Sequence, residues 1–178
     1  NNFPTYISDS IASAVRLIYN FETIQLEKQS LPKNAFINIK SPRYRADSLL
    51  KFLKRNKSDS INYILGLTTK DISTTKRNKD GSIKEPLYKY SDWGVFGLGY
   101  KPGVSSIVST FRYKTKKQTL FIERLQKICA HELGHNLGLP HCKSGLECIM
   151  QDAAETIKTV DNVKMQLCST CKKQLNIH

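Results

Sequence analysis

The sequence predicts a mixed α/β (α+β) fold, and three observations predict it. Apolar residues recur at helical spacing in an early, a middle and a long late segment; extended apolar runs lie between them; and everything after the late segment is polar and rich in cysteine. At 178 residues the chain suits one domain and is long enough to bury a core.

Ile11 to Phe21 carries Ile11, Val15, Ile18 and Tyr19 on one helical face, with Ser8 and Asp9 as candidate caps. Thr23 to Lys28 and Ala35 to Ile39 read as extended, turned about Pro32 and Asn34. Arg45 to Arg55 returns to helical spacing through Leu49, Leu50, Phe52 and Leu53, and Ile61 to Thr68 reads as a buried strand. Thr69 to Asp92 is polar, contains Asn78, Asp80, Gly81 and Pro86, and reads as an irregular insertion or long hairpin. Trp93 to Gly99 and Ser105 to Phe111 are two further strands joined by a Lys101–Pro102–Gly103 turn, the second a candidate exposed edge along Ser105 to Thr110. Lys117 to Asn136 is the long helix, with Leu120, Ile122, Leu125, Ile128 and Leu133 as its apolar contacts.

Lys and Arg total 28 against 15 Asp and Glu, a formal charge of +13, and 39% of residues are hydrophobic. Such a field favours acidic partners. The positive residues are spread along the chain, however, and the densest stretch, Arg112 to Lys117, is too poor in aromatics for a nucleic-acid platform. A solvated lysine-rich surface is the expectation, with no nucleic-acid partner. No apolar run reaches transmembrane length. The chain begins at Asn1 rather than methionine, which is consistent with removal of a leader, propeptide or tag and leaves the compartment open.

The run CAHELGHNLGLPHC, Cys129 to Cys142, holds three of the four histidines. His131 and His135 are four apart, so on a helix both imidazoles leave one face and can grip one ion. Glu132 is placed to reach a water on that ion. Gly138 suits a left-handed helix end that turns the chain back and brings His141 in as a third ligand, leaving a fourth position for water. Incidental histidines on a helix surface explain a lone HExxH but not the longer HExxHxxGxxH pattern.

Four of the five cysteines, Cys142, Cys148, Cys168 and Cys171, follow the histidines. Cys168 and Cys171 form a CxxC, a common half of a thiolate zinc site, and Cys142 with Cys148 can supply the other half. Two disulfides are the competing reading, suited to an exported protein. Zinc is favoured, and with it a cytoplasmic compartment; metal binding would then fold a tail too small to fold by burial. Cys129 reads as a small buried residue.

HELGHNLGLPHC followed by Cys148–Ile149–Met150, Cys168 and Cys171 resembles the archaemetzincins, a branch of the metzincin zinc metallopeptidases. WGVFGLGYKPGVSSIVSTFRY, residues 93 to 113, and ILGLTTKDI, residues 64 to 72, are similar to strands of that family; residues 1 to 60 carry no specific signature. The resemblance implies a metzincin-like zincin fold: a mixed β-sheet packed on helices above a cleft, and a small zinc-bound C-terminal subdomain. It implies that His131, His135 and His141 bind catalytic zinc, that Glu132 is the general base, that Met150 is the Met-turn residue, and that the four cysteines hold a structural zinc. In the family pattern four residues separate the first two cysteines, whereas Lys143 to Glu147 is one longer, which bears on the loop more than on ligation. No tyrosine lies two residues after Met150, where some metzincins place an additional ligand; Asp152 does.

The expectation is one catalytic domain over 1–178, with an N-terminal subdomain (1–138) holding the sheet and active-site helix and a C-terminal subdomain (139–178) holding the Met-turn and cysteine site. Its activity would be zinc-dependent hydrolysis of peptide bonds, as an aminopeptidase or endopeptidase, by a monomer with two zinc ions and a peptide or protein substrate. A zinc-stabilised binding protein with little or no turnover is the alternative, and a nucleic-acid-binding zinc module is a third reading.

Overall fold

In a computed structural model, which describes residues 3–152 and 156–177, helix α1 (Thr5–Tyr19) begins earlier than its apolar pattern. Pro4 precedes it in extended conformation, so Ser8 and Asp9 lie inside the helix and do not cap it. Ile7, Ile11, Val15, Ile18 and Tyr19 are buried, and this face packs on α4 (Gln118–Asn136). The helix ends at Asn20, whose φ of 55° is a left-handed position asparagine tolerates. Thr23 to Lys28 forms no strand, contrary to expectation: Ile24 and Leu26 are 72% and 47% exposed, and the segment has no ladder partner among the described residues.

The strands form two small mixed sheets in place of one. The first has the order β1 (Phe36–Asn38), β2 (Pro42–Arg45), β4 (Ile72–Thr74), β5 (Trp93–Gly94), with β2 and β4 parallel and both outer pairs antiparallel. The second has the order β3 (Ile64–Thr68), β7 (Ser105–Ser109), β6 (Gly97–Gly99): β3 and β7 are parallel, and β6 runs antiparallel to β7 with Gly97 opposite Val108. The single expected strand Trp93 to Gly99 is therefore two, and it passes from one sheet to the other. Val95 N–H still donates to Ile72 of the first sheet (3.1 Å), while the Phe96 carbonyl accepts from Ser109 of the second (2.8 Å).

Ser105 to Thr110 is not an exposed edge. β7 is buried along its whole length, with β3 on one side and β6 on the other, so the edge strands of this sheet are β3 and β6. α2 (Ala46–Asn56) covers the sheets with Ala46, Leu49 and Leu50, and forms a second apolar cluster with Ala35, Ile72 and Ile107. The main cluster lies between α1, α4, β7 and the C-terminal residues.

Within Thr69 to Asp92, expected to be an irregular insertion or long hairpin, the chain forms β4, an antiparallel Arg77–Ile83 bridge and a short α3 (Leu87–Tyr90). Buried ions hold this region. Asp71 accepts from Arg112 through both carboxylate oxygens (2.7 and 2.8 Å) and lies 3.3 Å from Arg43, and Asp92 lies 3.6 Å from Arg43. After α4 come α5 (Ile157–Asn162) and α6 (Ser169–Gln174). Arg124 of α4 binds Asp161 of α5 through two parallel bonds of 2.6 and 2.7 Å. Among the described residues, no helix is long and apolar enough to cross a membrane.

Candidate active site

Helix α4 presents His131 and His135 one turn apart, their rings perpendicular and 4.7 Å between centroids. The helix stops at Leu137, and Gly138 takes φ 94°, a conformation that favours glycine. Gly138 and Leu139 donate to the His135 and Gly134 carbonyls (2.9 and 3.0 Å), closing the helix end. The reversed chain brings the His141 ring to 5.3 Å from His131 and 4.9 Å from His135. One nitrogen from each of the three lies within 4.8 Å of the others.

Outer contacts fix the imidazoles. His131 Nδ1 lies 2.8 Å from the Ile149 carbonyl and His135 Nδ1 lies 2.8 Å from the Leu139 carbonyl. A carbonyl only accepts, so each Nδ1 carries the proton and the Nε2 lone pair is left for a metal. His141 Nδ1 lies 3.4 Å from Asp152. Burial pushes His131 down to about 3, and His135 repels its charge further. Burial also lowers His135 and His141; Asp152 opposes this at His141, while Lys101 and Lys76 add to it. The three rings are thus neutral near pH 7, the form that binds metal.

Glu132 is buried against β6. A Cβ on Gly97 would lie 2.7 Å from its Cγ and Oε1, and one on Gly99 would lie 2.6 Å from its backbone oxygen. Only a Gly-x-Gly strand lets β6 lie this close to α4. Burial pushes the Glu132 carboxyl up to about 8, opposed by the Gly99 backbone N–H. Asn136, on the next turn, donates to the Tyr100 and Ser105 carbonyls (3.0 and 2.9 Å) and pins the β6–β7 turn to the helix.

Met150 is fully buried under α4, where a Cβ on Gly134 would collide with its Sδ and lie 2.8 Å from Tyr19 Oη. Tyr19 Oη donates to the Ala130 carbonyl (2.7 Å). The sequence alone does not mark Gly97, Gly99, Gly134, Asn136 and Tyr19 as parts of this site, although two glycines inside a strand are a signal of close backbone approach that points to the first pair.

The structure also brings Cys142, Cys148, Cys168 and Cys171 together, with one sulfur of each within 4.8 Å of the rest. Cys142 and Cys168 sulfurs are 3.6 Å apart and Cys148 and Cys171 sulfurs 3.7 Å, and none is in a disulfide. A tetrahedral ion with bonds of about 2.3 Å needs S···S edges near 3.8 Å, which these pairs fit. Cys129 is buried on α4. A cleft of ≈ 1140 Å³ runs past His131, Glu132, His135 and His141 and along β5, β6 and α5.

This architecture has known counterparts. The sequence profile of Peptidase family M54 matches residues 5–177. An archaemetzincin of Haloquadratum walsbyi is 29% identical over 183 residues, covering 98% of this chain and 94% of that protein. Another, from Haloarcula marismortui, is 29% identical over 173 residues, covering 92% and 88%. The crystal structure of archaemetzincin from Methanopyrus kandleri aligns with a TM-score of 0.81 at 26% identity, covering 99% of this chain and 88% of that one. A zinc-dependent peptidase from Methanocorpusculum labreanum shares the fold, with a TM-score of 0.72 at 24% identity over 97% of this chain and 95% of that one. With its profile match spanning nearly the whole chain, the protein belongs to peptidase family M54, the archaemetzincins.

Proposed function

We propose that this metallopeptidase hydrolyses peptide bonds with one zinc ion held by His131, His135 and His141 and with Glu132 as general base. The observation that carries the reading is the convergence of three imidazoles beside the buried Glu132 side chain on one wall of an open cleft. When bound, zinc with an open position polarises a peptide carbonyl and lowers the pKa of water toward about 7. Glu132 accepts the proton of the attacking water and returns it to the departing amine. A neighbouring divalent charge favours its carboxylate form against the burial that raises it.

β6 is an edge strand that borders the cleft beside Glu132, so its outward backbone N–H and C=O groups can pair with an extended peptide. A second zinc, held by Cys142, Cys148, Cys168 and Cys171, would tie residues 139–178 into a subdomain bearing the Met150 turn; the thiol spacing supports it. Cleavage of a mixed peptide library, in free and N-terminally blocked forms, tests the reading and separates aminopeptidase from endopeptidase action. Turnover by the native chain that is lost in Glu132→Ala supports it; turnover that survives in Glu132→Ala contradicts it.

A further inference from the structure

We propose that the cleft selects peptides with carboxylate side chains near the scissile bond, bound by a wall built from Lys40, Lys76, Lys89 and Trp93, with Lys101 at the opposite end of β6. This deepens the peptidase reading and rests on it.

The lysines are far apart in sequence and meet at the cleft. Lys76 Nζ sits 4.4 Å from the Trp93 ring centroid and Lys89 Nζ sits 5.1 Å from it, so two ammonium groups share one indole. Lys40 Nζ donates to the Lys89 carbonyl (3.2 Å), which adds a third. The other cations of the cleft are already neutralised: Arg43 by Asp71 and Asp92, Arg112 by Asp71, and Lys127 by Glu123. Lys40, Lys76, Lys89 and Lys101 form no ion pair among the described residues. Of the carboxylates lining the cleft, Asp92 is buried against Arg43, Glu132 is buried against β6, and Asp152 lies beside His141.

Like charges gathered without a counter-ion repel one another, and an incoming carboxylate relieves that repulsion while it gains attraction. β5 leads directly into β6, and the four steps from Trp93 to Gly97 span about 13 Å in extended chain. A peptide lying along this edge with its scissile bond at Glu132 therefore reaches the lysine wall within about four residues. Lys101, just past Gly99, offers a fourth cation on the other side.

The test uses the full zinc-loaded chain carrying Glu132→Gln, which binds without turnover, and three labelled peptides of equal length. They are acetylated and amidated, so only side-chain charge varies, with glutamate, glutamine or lysine flanking a common apolar centre. Fluorescence anisotropy gives affinity, and quenching of Trp93, the sole tryptophan, reports occupancy of the wall. The glutamate peptide should bind about tenfold tighter than the glutamine peptide at low salt, with the preference fading toward about 1 M salt. Adding Lys76→Glu and Lys89→Glu should abolish it, and Lys76→Met with Lys89→Met gives the same reading if the first pair misfolds. Lys51→Glu with Lys54→Glu, exposed on α2 away from the cleft, should leave it intact.

Equal binding of the glutamate and glutamine peptides would overturn the proposal, as would a preference that survives both Lys76/Lys89 pairs or is lost equally in the α2 pair. Tighter binding of a single-stranded oligonucleotide would overturn it in favour of nucleic acid. Because the readout is binding, a negative result is distinct from failure of the peptidase reading, which the peptide library tests on the native chain.

Discussion

Gly97 lies against Glu132 with no room for a side chain: a Cβ there would sit 2.7 Å from both Cγ and Oε1 of the glutamate. Gly97→Ala should displace the carboxylate, lowering kcat/KM about tenfold to a hundredfold, since small misplacements of a reacting group are costly. The obstacle is a movable side chain, so stability should fall by only about 1 kcal/mol. In Gly99→Ala the new methyl meets the backbone oxygen of Glu132, which cannot rotate away, and about 2–3 kcal/mol of stability should be lost as well. Kinetics and thermal melting of the two variants, side by side, check the contrast.

Gly134 and Met150 make a second such pair, this time beneath the histidine helix. Gly134→Ala should destabilise by about 1–3 kcal/mol, because Met150 and Tyr19 are both buried and cannot both retreat. Met150→Ala alone leaves a cavity and costs about 2–5 kcal/mol. Together the two should cost less than their sum, since the truncated side chain vacates the space the new methyl needs. A double-mutant cycle by denaturant unfolding measures the coupling; strict additivity would contradict the packing described.

Much of this site is legible in the residues themselves. The four-residue spacing of His131 and His135 and the left-handed Gly138 foretell the convergence of three imidazoles, because helix geometry and one φ angle fix it locally. The four cysteines are likewise found together, two of them joined by a CxxC. What escapes the sequence depends on partners distant in the chain. β2 reads as Pro-Arg-Tyr-Arg with no apolar pattern, and it is a strand because it pairs with β1 and β4, where Arg43 also meets Asp71 and Asp92. The sheet change between Val95 and Phe96 carries no local signal, for it is set by which strand lies alongside. The lysines spread over residues 40 to 101 look like solvated surface until the fold gathers them at the cleft.

The Arg124–Asp161 pair joins α4 to α5 and carries a pH dependence. The hydrogen bond from Arg124, helped by its charge, lowers the Asp161 carboxyl against the burial that would raise it. A depressed folded-state pKa adds stability that is present above the unfolded value, near 3.9, and is lost as pH falls through the folded one. Asp161→Asn should therefore cost about 1 kcal/mol at neutral pH, with the gap to the native chain closing below about pH 4. Thermal midpoints of both proteins from pH 7 to 3 give the comparison; a gap that widens in acid would contradict the sign.

The cysteine and histidine groups share no residue, so loss of one should spare the other. Cys168→Ser and Cys171→Ser should lower thermal stability and remove one equivalent of zinc, because a thiolate ligand and part of the metal's folding free energy go together. His141→Ala should weaken the other equivalent with little change in the thiolate-bound one. Metal analysis with thiol titration on the variants distinguishes them; at most one zinc in the native protein would remove the second site.

The most direct measurement is zinc content and peptide-library cleavage on the same preparations of native chain and Glu132→Ala. Native protein should bind two zinc ions and cleave, whereas Glu132→Ala should keep both ions and its thermal midpoint and lose about 10²- to 10⁴-fold in rate. Equal cleavage by the two proteins, or two bound ions with no cleavage by either, would contradict the assignment of Glu132 and the three histidines to peptide hydrolysis.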